Sequence, residues 1–358
     1  MRPIPDLITD PVYEKPLHLT TYQKFWLRRI HDKRDLPFVH LLTIVHLTIL
    51  PVAVILYTPL LGIWWWPVAA VYFYVSQFYF KGSFGLMLHC LCHRKLFKKD
   101  KFANRYLFWV ICPLFGHLGD SYHVHHMGMH HVENNMPTDA SSTMGYTRDS
   151  FPEFLSYWLR FMFLGLHDTF LYLFRRKRKK MCRKVTVSEV GFIVIATALC
   201  FLNLKATLLV LIVPFVFARF VMMLGNWTQH AFVDPDDPEN DFASNIICLN
   251  TSYNHKCWND GYHAIHHIRP GAHYTELPLI FRQMIPNFKE HKTFIFERIH
   301  YLHIFFYLMF KRYDKLAGYM VNVHECFPDK NHAIDLLKRR TRKFNVHALV
   351  EKTGFGKN

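Results

Sequence analysis

Residues 36–80, LPFVHLLTIVHLTILPVAVILYTPLLGIWWWPVAAVYFYVSQFYF, contain no Asp, Glu, Lys or Arg. A run of that length holds two membrane spans of about 20 residues each, with a turn between them. Tyr57, Thr58, Pro59 and Gly62 supply turn chemistry at its middle, and Trp64, Trp65 and Trp66 suit an interfacial aromatic belt. The expected helices are 38–57 and 63–85. The run starts too late and is too long for a secretory signal.

A second apolar region covers residues 190–218 and is interrupted only by Lys205. It reads either as one long span or as a hairpin turning at Asn203, Leu204 and Lys205. The hairpin requires helices 187–203 and 206–225, with Arg219 snorkelling toward the interface. Basic clusters precede the first run (Arg28, Arg29, Lys33, Arg34), follow the second helix (Arg94, Lys95, Lys98, Lys99, Lys101) and recur at 175–180. Under the positive-inside rule both termini and the large loops face the cytosol. Segments 151–174 and 299–310 are apolar but flanked by charge, so they lie along the membrane surface or pack within the cap.

The remaining composition narrows the class. Of 358 residues, 51% are hydrophobic and 16% aromatic, and the net charge is +16. The basic residues flank apolar runs and no nucleic-acid motif accompanies them, so the charge fits an anionic membrane face rather than nucleic acid. Eight cysteines fall without a CxxC pair, which predicts reduced thiols and no disulfide frame. Cys90 and Cys92 sit inside a histidine-rich stretch and are expected to pack rather than ligate. No repeat or linker-like block divides the chain, so one domain over 1–358 is expected, with a cytosolic cap at 86–186 and 226–358.

Histidines carry the chemistry. The first group is His89 and His93, an HxxxH at the end of the second helix, with i and i+4 on one face. The second is His126, His130 and His131, an HxxxHH in which a helix would align the first two and turn His131 about 100° away toward a second ion. His123 and His125 lie just upstream and enlarge it. The third is His263, His266 and His267, an HxxHH within the run Asn259, Asp260, Gly261, Tyr262, His263. Beside these three groups, His230, one helical turn after Asn226, becomes a candidate ligand.

Buried unpaired imidazoles are costly and exposed ones have no reason to cluster at helical spacing, so the pattern points to metal. One zinc takes about four ligands, whereas eight or nine imidazoles suit two ions with an open position. Nitrogen donors do not name the metal by themselves. All groups must share one membrane face, so the number of crossings between His126 and His263 is even. That selects the hairpin. The expected fold class is an all-α membrane protein with four transmembrane helices in two hairpins and a helical cytosolic cap holding a histidine-rich dimetal site.

At these residues the chain resembles the integral-membrane fatty acid desaturase superfamily, which also contains alkane and lipid hydroxylases. The likeness spans roughly residues 60–290. The third group is nearest: Asp260, Gly261, Tyr262 and His263 followed by His266 and His267 look like the acyl-CoA desaturase pattern, and Asn226 with His230 matches an Asn-xxx-His of that family. The resemblance implies two iron ions held by His89, His93, His126, His130, His131, His230, His263, His266 and His267, with Asn226 contacting one through water. O2 would be the co-substrate and a lipid acyl chain the substrate, lying in a dry slot between helices. The HxxxHH spacing with Gly128 inside it departs from most desaturases and resembles the alkane hydroxylase branch. Hydroxylation therefore stands beside desaturation as an outcome. The chain lacks a His-Pro-Gly-Gly signature, so electrons are expected from a separate carrier of cytochrome b5 or ferredoxin type.

Asp260, Asp120 and Glu133 lie near the groups and are the acids expected to orient imidazoles, although each suits a solvated or capping role as well. The basic residues Lys95, Lys98, Lys99 and Arg105 suit a phosphate-bearing headgroup or CoA, or anionic lipid heads generally. The endoplasmic reticulum is the default location for the class. Two rivals remain from another class of function: a zinc-dependent membrane hydrolase, and a catalytically silent homologue that regulates.

Overall fold

The computed structural model describes residues 1–346. Among the described residues the chain is mostly helical and forms two compact units. One comprises Tyr13–Gly128 and Lys177–Phe220; the other comprises Met1–Val12, Met129–Arg176 and the chain from Val221 onward.

The first unit holds the apolar runs. Its helix Leu36–Leu47 stops at Thr48 and resumes as Ile49–Ile55. Pro51 causes the break, because it has no N–H for the carbonyl of Leu47 and its ring crowds that carbonyl. Thr48 Oγ1 bonds back to the carbonyl of Ile44 at 2.7 Å and adds to the bend. The chain turns through Pro59–Trp64, where Gly62 takes φ 48° and ψ −125°, a conformation that a Cβ would strain. Trp65 Nε1 donates to the carbonyl of Leu56 at 2.9 Å and pins the turn. The return path runs through Trp65–Tyr74, a π-turn at Val75–Tyr79 and Lys81–His93.

Two helical stretches, Lys33–Ile55 and Lys179–Gln229, are long and apolar enough to cross a membrane. The second doubles back on itself. A straight helix would separate Glu189 from Arg219 by about 45 Å at 1.5 Å per residue, yet their side chains meet at 2.6 Å. Phe192 stacks on Phe215 with ring centroids 4.8 Å apart. Both pairs are placed symmetrically about Asn203, whose φ −158° and ψ 96° break the helix. The expected turn at 203–205 is therefore where the chain reverses. Arg219, expected to snorkel, is half-buried in the hairpin and pairs with the buried Glu189, which also accepts a hydrogen bond from Ser121 at 2.5 Å. A charge that finds a partner inside avoids the cost that snorkelling would otherwise relieve.

At the tips, Lys205 lies 4.4 Å from the ring centre of Trp65, and the Tyr57 hydroxyl donates to Thr207 Oγ1 at 3.2 Å. Ile63, Trp66, Ile193, Phe201 and Leu202 point outward and are exposed. Helices that are apolar all round, with their outer faces uncovered, are what a lipid-facing surface looks like.

The second unit is built around the amphipathic helix Phe151–Arg175 and the helices Tyr301–Met309, Tyr313–Tyr319 and Lys330–Arg340. Phe154 and Phe305 meet with centroids 4.7 Å apart, so the two apolar segments near 151–174 and 299–310 pack together on one side. Phe163 and Phe310 remain exposed on the other. A short parallel ladder departs from the all-helical expectation: Ile247–Leu249 pairs with Ile295–Glu297 in the register Ile247 to Ile295. All six ladder residues are buried, with Phe232, Phe294, Tyr301 and Ile304 in one core and Tyr262, Ile265, Phe281 and Phe288 in another.

Candidate metal centre

The third histidine group sits on a loop in which each residue has a mechanical reason. Gly261 lies where a Cβ would meet Asn254 Oδ1 at 2.4 Å and the carbonyl of Cys248 at 2.5 Å, so only glycine fits. Its N–H donates to Asn254 Oδ1 at 3.0 Å, and its carbonyl accepts from Cys248 N–H at 2.8 Å. Asn259, in left-handed backbone at φ 56°, donates its amide to the carbonyls of Pro11 and Tyr274. Tyr262 donates its hydroxyl to the buried Asp10 at 2.7 Å. The loop then enters the helix His263–Ile268, where His263 and His267 share a face and His266 turns away.

In this unit four buried histidines, His130, His230, His263 and His267, bring one ring nitrogen each to within 4.8 Å of one another. His230 Nε2 and His263 Nε2 are 3.1 Å apart. His131 Nε2 and His266 Nε2 face each other at 3.0 Å. In the apolar unit His89, His93 and His126 gather likewise, with His93 Nε2 3.1 Å from His126 Nε2 and the rings of His89 and His126 4.5 Å apart.

The second group departs from its expected geometry. His126–His130 forms a π-turn, not an α-turn. A π-turn closes at i+5 rather than i+4, which re-aims the residues that follow His126 relative to an α-helix. His126 accordingly joins His89 and His93, while His130 joins His230, His263 and His267.

These donors fit a divalent ion. Two imidazole nitrogens about 2.1 Å from one ion lie roughly 3.0–3.4 Å apart at right or tetrahedral angles, and the facing Nε2 pairs meet that spacing. His267 Nε2 is buried with no hydrogen-bond partner, the condition of a nitrogen that an ion would complete. Burial, followed by the charge of neighbouring histidines, holds His230 and His267 well below the usual imidazole range. Burial, with His89, Arg94 and His123 nearby, lowers His93 to about 3. Neutral imidazole is the form that ligates.

Other expected residues have other surroundings. Asn226 donates its amide to the carbonyl of Ser141 and to the Tyr157 hydroxyl, both at 2.8 Å. Asp260 accepts from Tyr253 at 2.8 Å and Gln229 at 3.3 Å. Asp120 accepts from Trp109 Nε1 and pairs with Lys184, each at 2.9 Å. Glu133, fully buried, pairs with Arg176 at 2.7 Å and accepts from Tyr172 and Thr138. His123, His125, Cys90 and Cys92 fall outside both histidine gatherings; Cys92 is buried, and burial pushes its thiol up.

Two residues were not anticipated. Asp139 accepts from His130 Nδ1 at 2.7 Å, and Thr143 Oγ1 donates to the carbonyl of His230 at 2.9 Å. Their only sequence signal is a polar, turn-rich stretch after the second group, which does not say which residue turns inward.

No curated protein and no solved structure matches the chain. The fatty acid desaturase family model matches residues 63–299, about two-thirds of the sequence. That stretch contains the three histidine groups, Asn226 and His230, and with it the chain belongs to the fatty acid desaturase family.

Proposed function

We propose that the protein is an O2-dependent di-iron oxidase that desaturates a fatty acyl chain carried as acyl-CoA or acyl-lipid. Membership of the family implies oxidoreductase chemistry on a lipid at a membrane. The observation that carries the proposal is the buried gathering of His130, His230, His263 and His267, with ring nitrogens at ligand spacing. In the proposal these four serve one ion, and His89, His93 and His126 contribute to the second. Asn226 approaches one ion through water. Bound iron would supply the means to reduce O2 and oxidise an unactivated C–H bond.

The chain's own residues do the rest. The imidazoles stay neutral because they are buried, and so present lone pairs rather than protons. The four rings are themselves buried, which keeps bulk water from them. We read the whole chain as one desaturase-like domain, because the family match runs through segments of both compact units. Helices 38–57, 63–85, 187–203 and 206–225 are proposed to cross the membrane, with termini cytosolic and the endoplasmic reticulum as location. Electrons would come from a separate cytochrome b5 or ferredoxin-type carrier.

Hydroxylation is the second reading, and the longer HxxxHH spacing with Gly128 inside it, which resembles the alkane hydroxylase branch, favours it. The test compares wild type with a His266→Ala/His267→Ala double variant, purified in detergent, for iron and zinc, alongside lipids from cells expressing each. Two irons per wild-type chain and a lipid lighter by two mass units, absent with the variant, support desaturation. A gain of sixteen mass units supports hydroxylation. Stoichiometric zinc with no oxidised lipid overturns the oxidase reading.

A further inference from the structure

The loop that follows the second histidine group grips the buried cluster three times within five residues. Asp139 accepts the Nδ1 proton of His130 at 2.7 Å. The carbonyl of Ser141 accepts from Asn226 Nδ2 at 2.8 Å and from the Tyr157 hydroxyl at 3.0 Å. Thr143 Oγ1 donates to the carbonyl of His230 at 2.9 Å. Asp139 is itself held: its other oxygen accepts from Ser141 N–H and from Ser141 Oγ, each at 2.8 Å, and its side chain is fully buried. A cavity of about 640 Å³ borders the same loop, with Asp139, Ser142 and Tyr157 in its wall. The loop thus has the cluster on one side and open space on the other, and hydrogen bonds tie it to the histidines.

We infer that residues 139–143 form a clasp that sets the ring of His130 and the backbone of His230, and that Asp139 is a positioning residue for the ion held by His130, His230, His263 and His267. The inference rests on the metal-binding part of the proposed function. An imidazole aims Nε2 at an ion in one direction only when its other nitrogen is anchored, and a carboxylate there fixes tautomer and rotation and raises basicity. The other acid near these rings, Asp241, stands 4.0 Å from His267 Nδ1, beyond hydrogen-bond reach. His130 is therefore a ring whose aim depends on a carboxylate, and the effect should fall on the ion that His130 helps to hold.

The test uses the full chain in detergent: wild type, Asp139→Ala, Asp139→Asn and Asp168→Asn, the last changing an acid on the same cavity that touches Arg160 and His167 instead. Each is loaded with iron(II) under anaerobic conditions, or with zinc, and dialysed against graded chelator. Cobalt(II) spectra and the unfolding midpoints of the metal-free forms are recorded in parallel. Asp139→Ala should hold one ion per chain about 10–100-fold more weakly, with altered cobalt bands and the other ion held as in wild type. Asp139→Asn should fall between, because an amide oxygen still accepts from Nδ1–H, and Asp168→Asn should match wild type. Both ions retained at wild-type strength in Asp139→Ala would overturn the inference. Equal loosening of both ions with a lowered metal-free midpoint would overturn it too, since the loop would then serve only the fold. Zinc in place of iron would sink the oxidase reading and leave this test standing. Failure to bind any divalent ion would sink both.

Discussion

The two histidine gatherings are held in place by different means. In the unit that contains His130, a carboxylate touches the ring itself, and His230 arrives from one segment and His263 with His267 from another, with a loop and a buried ladder tying the segments together. In the apolar unit, His93 is the last residue of the helix Lys81–His93, and the carboxylate acts one residue further on. Asp35, fully buried, receives both the Nε and an Nη of Arg94, at 3.0 and 2.9 Å. The first arrangement holds a ring through a carboxylate; the second anchors the backbone beside a ring through Asp35 and Arg94. A site with fixed rings should give up its ion last.

The largest effect should come from deleting a ring from the well-held cluster. His263→Ala removes a donor from the buried cluster, and oxidised lipid should fall more than about 100-fold, with one ion lost per chain. His93→Ala, at a helix end, should lose its ion at lower chelator concentration yet leave the His130 cluster loaded. Metal analysis across a chelator series, paired with lipid mass spectrometry, reads both variants. If His93→Ala empties the His130 cluster as readily as His263→Ala does, the two gatherings are one cooperative unit and the comparison fails.

Next in size is the backbone anchor. Asp35→Ala strands the Arg94 guanidinium beside a buried, emptied position, and breaking such a pair costs about 3 kcal/mol. Chemical unfolding of the metal-free protein in detergent should show that loss, while the chelator resistance of the ion at His130 stays as in wild type. Asp139→Ala differs in kind: it also strands buried donors, but the ion at His130 is released at lower chelator concentration, which Asp35→Ala does not cause. Unchanged ion retention in Asp139→Ala would mean that both acids serve only the fold.

The apolar runs and the histidine spacings were legible because both are local: charge-free length and i, i+4 periodicity are visible within a few turns. The reversal at Asn203 was legible for a different reason. The requirement that His126 and His263 share a membrane face forced an even number of crossings, and Asn203 with Lys205 was the one break available. The π-turn at His126–His130 was not legible, since one residue of helical slippage leaves no mark on composition and yet reassigns His130. Asp139 was hidden by distance from any periodic element, while Asp120, Glu133 and Asp260, closer to the groups in sequence, proved to be bound to other side chains. The ladder of Ile247–Leu249 with Ile295–Glu297 joins three-residue strands through a long connection, and strands that short carry no alternation to read.

The smallest expected effect separates ligand histidines from ordinary ones. His300 begins the helix Tyr301–Met309, and its Nδ1 accepts from the Leu302 N–H at 3.4 Å. Tyr253 stacks on its ring at 5.0 Å and His303 lies 4.4 Å away. Burial, followed by the charge of His303, lowers it to about 4. As pH falls, the unfolded chain takes up a proton here near the ordinary value of about 6.5, and the folded chain only near 4. The unfolded state therefore binds more protons across that interval, and stability falls with acidification. His300→Asn keeps a cap acceptor and removes the titration, so its unfolding midpoint should fall less between pH 6.5 and 4 than that of wild type. Ion retention over the same interval should match wild type, because His300 belongs to neither gathering. If His300→Asn loosens an ion, the capped helix reaches the metal through its packing, and the two gatherings no longer account for the site by themselves.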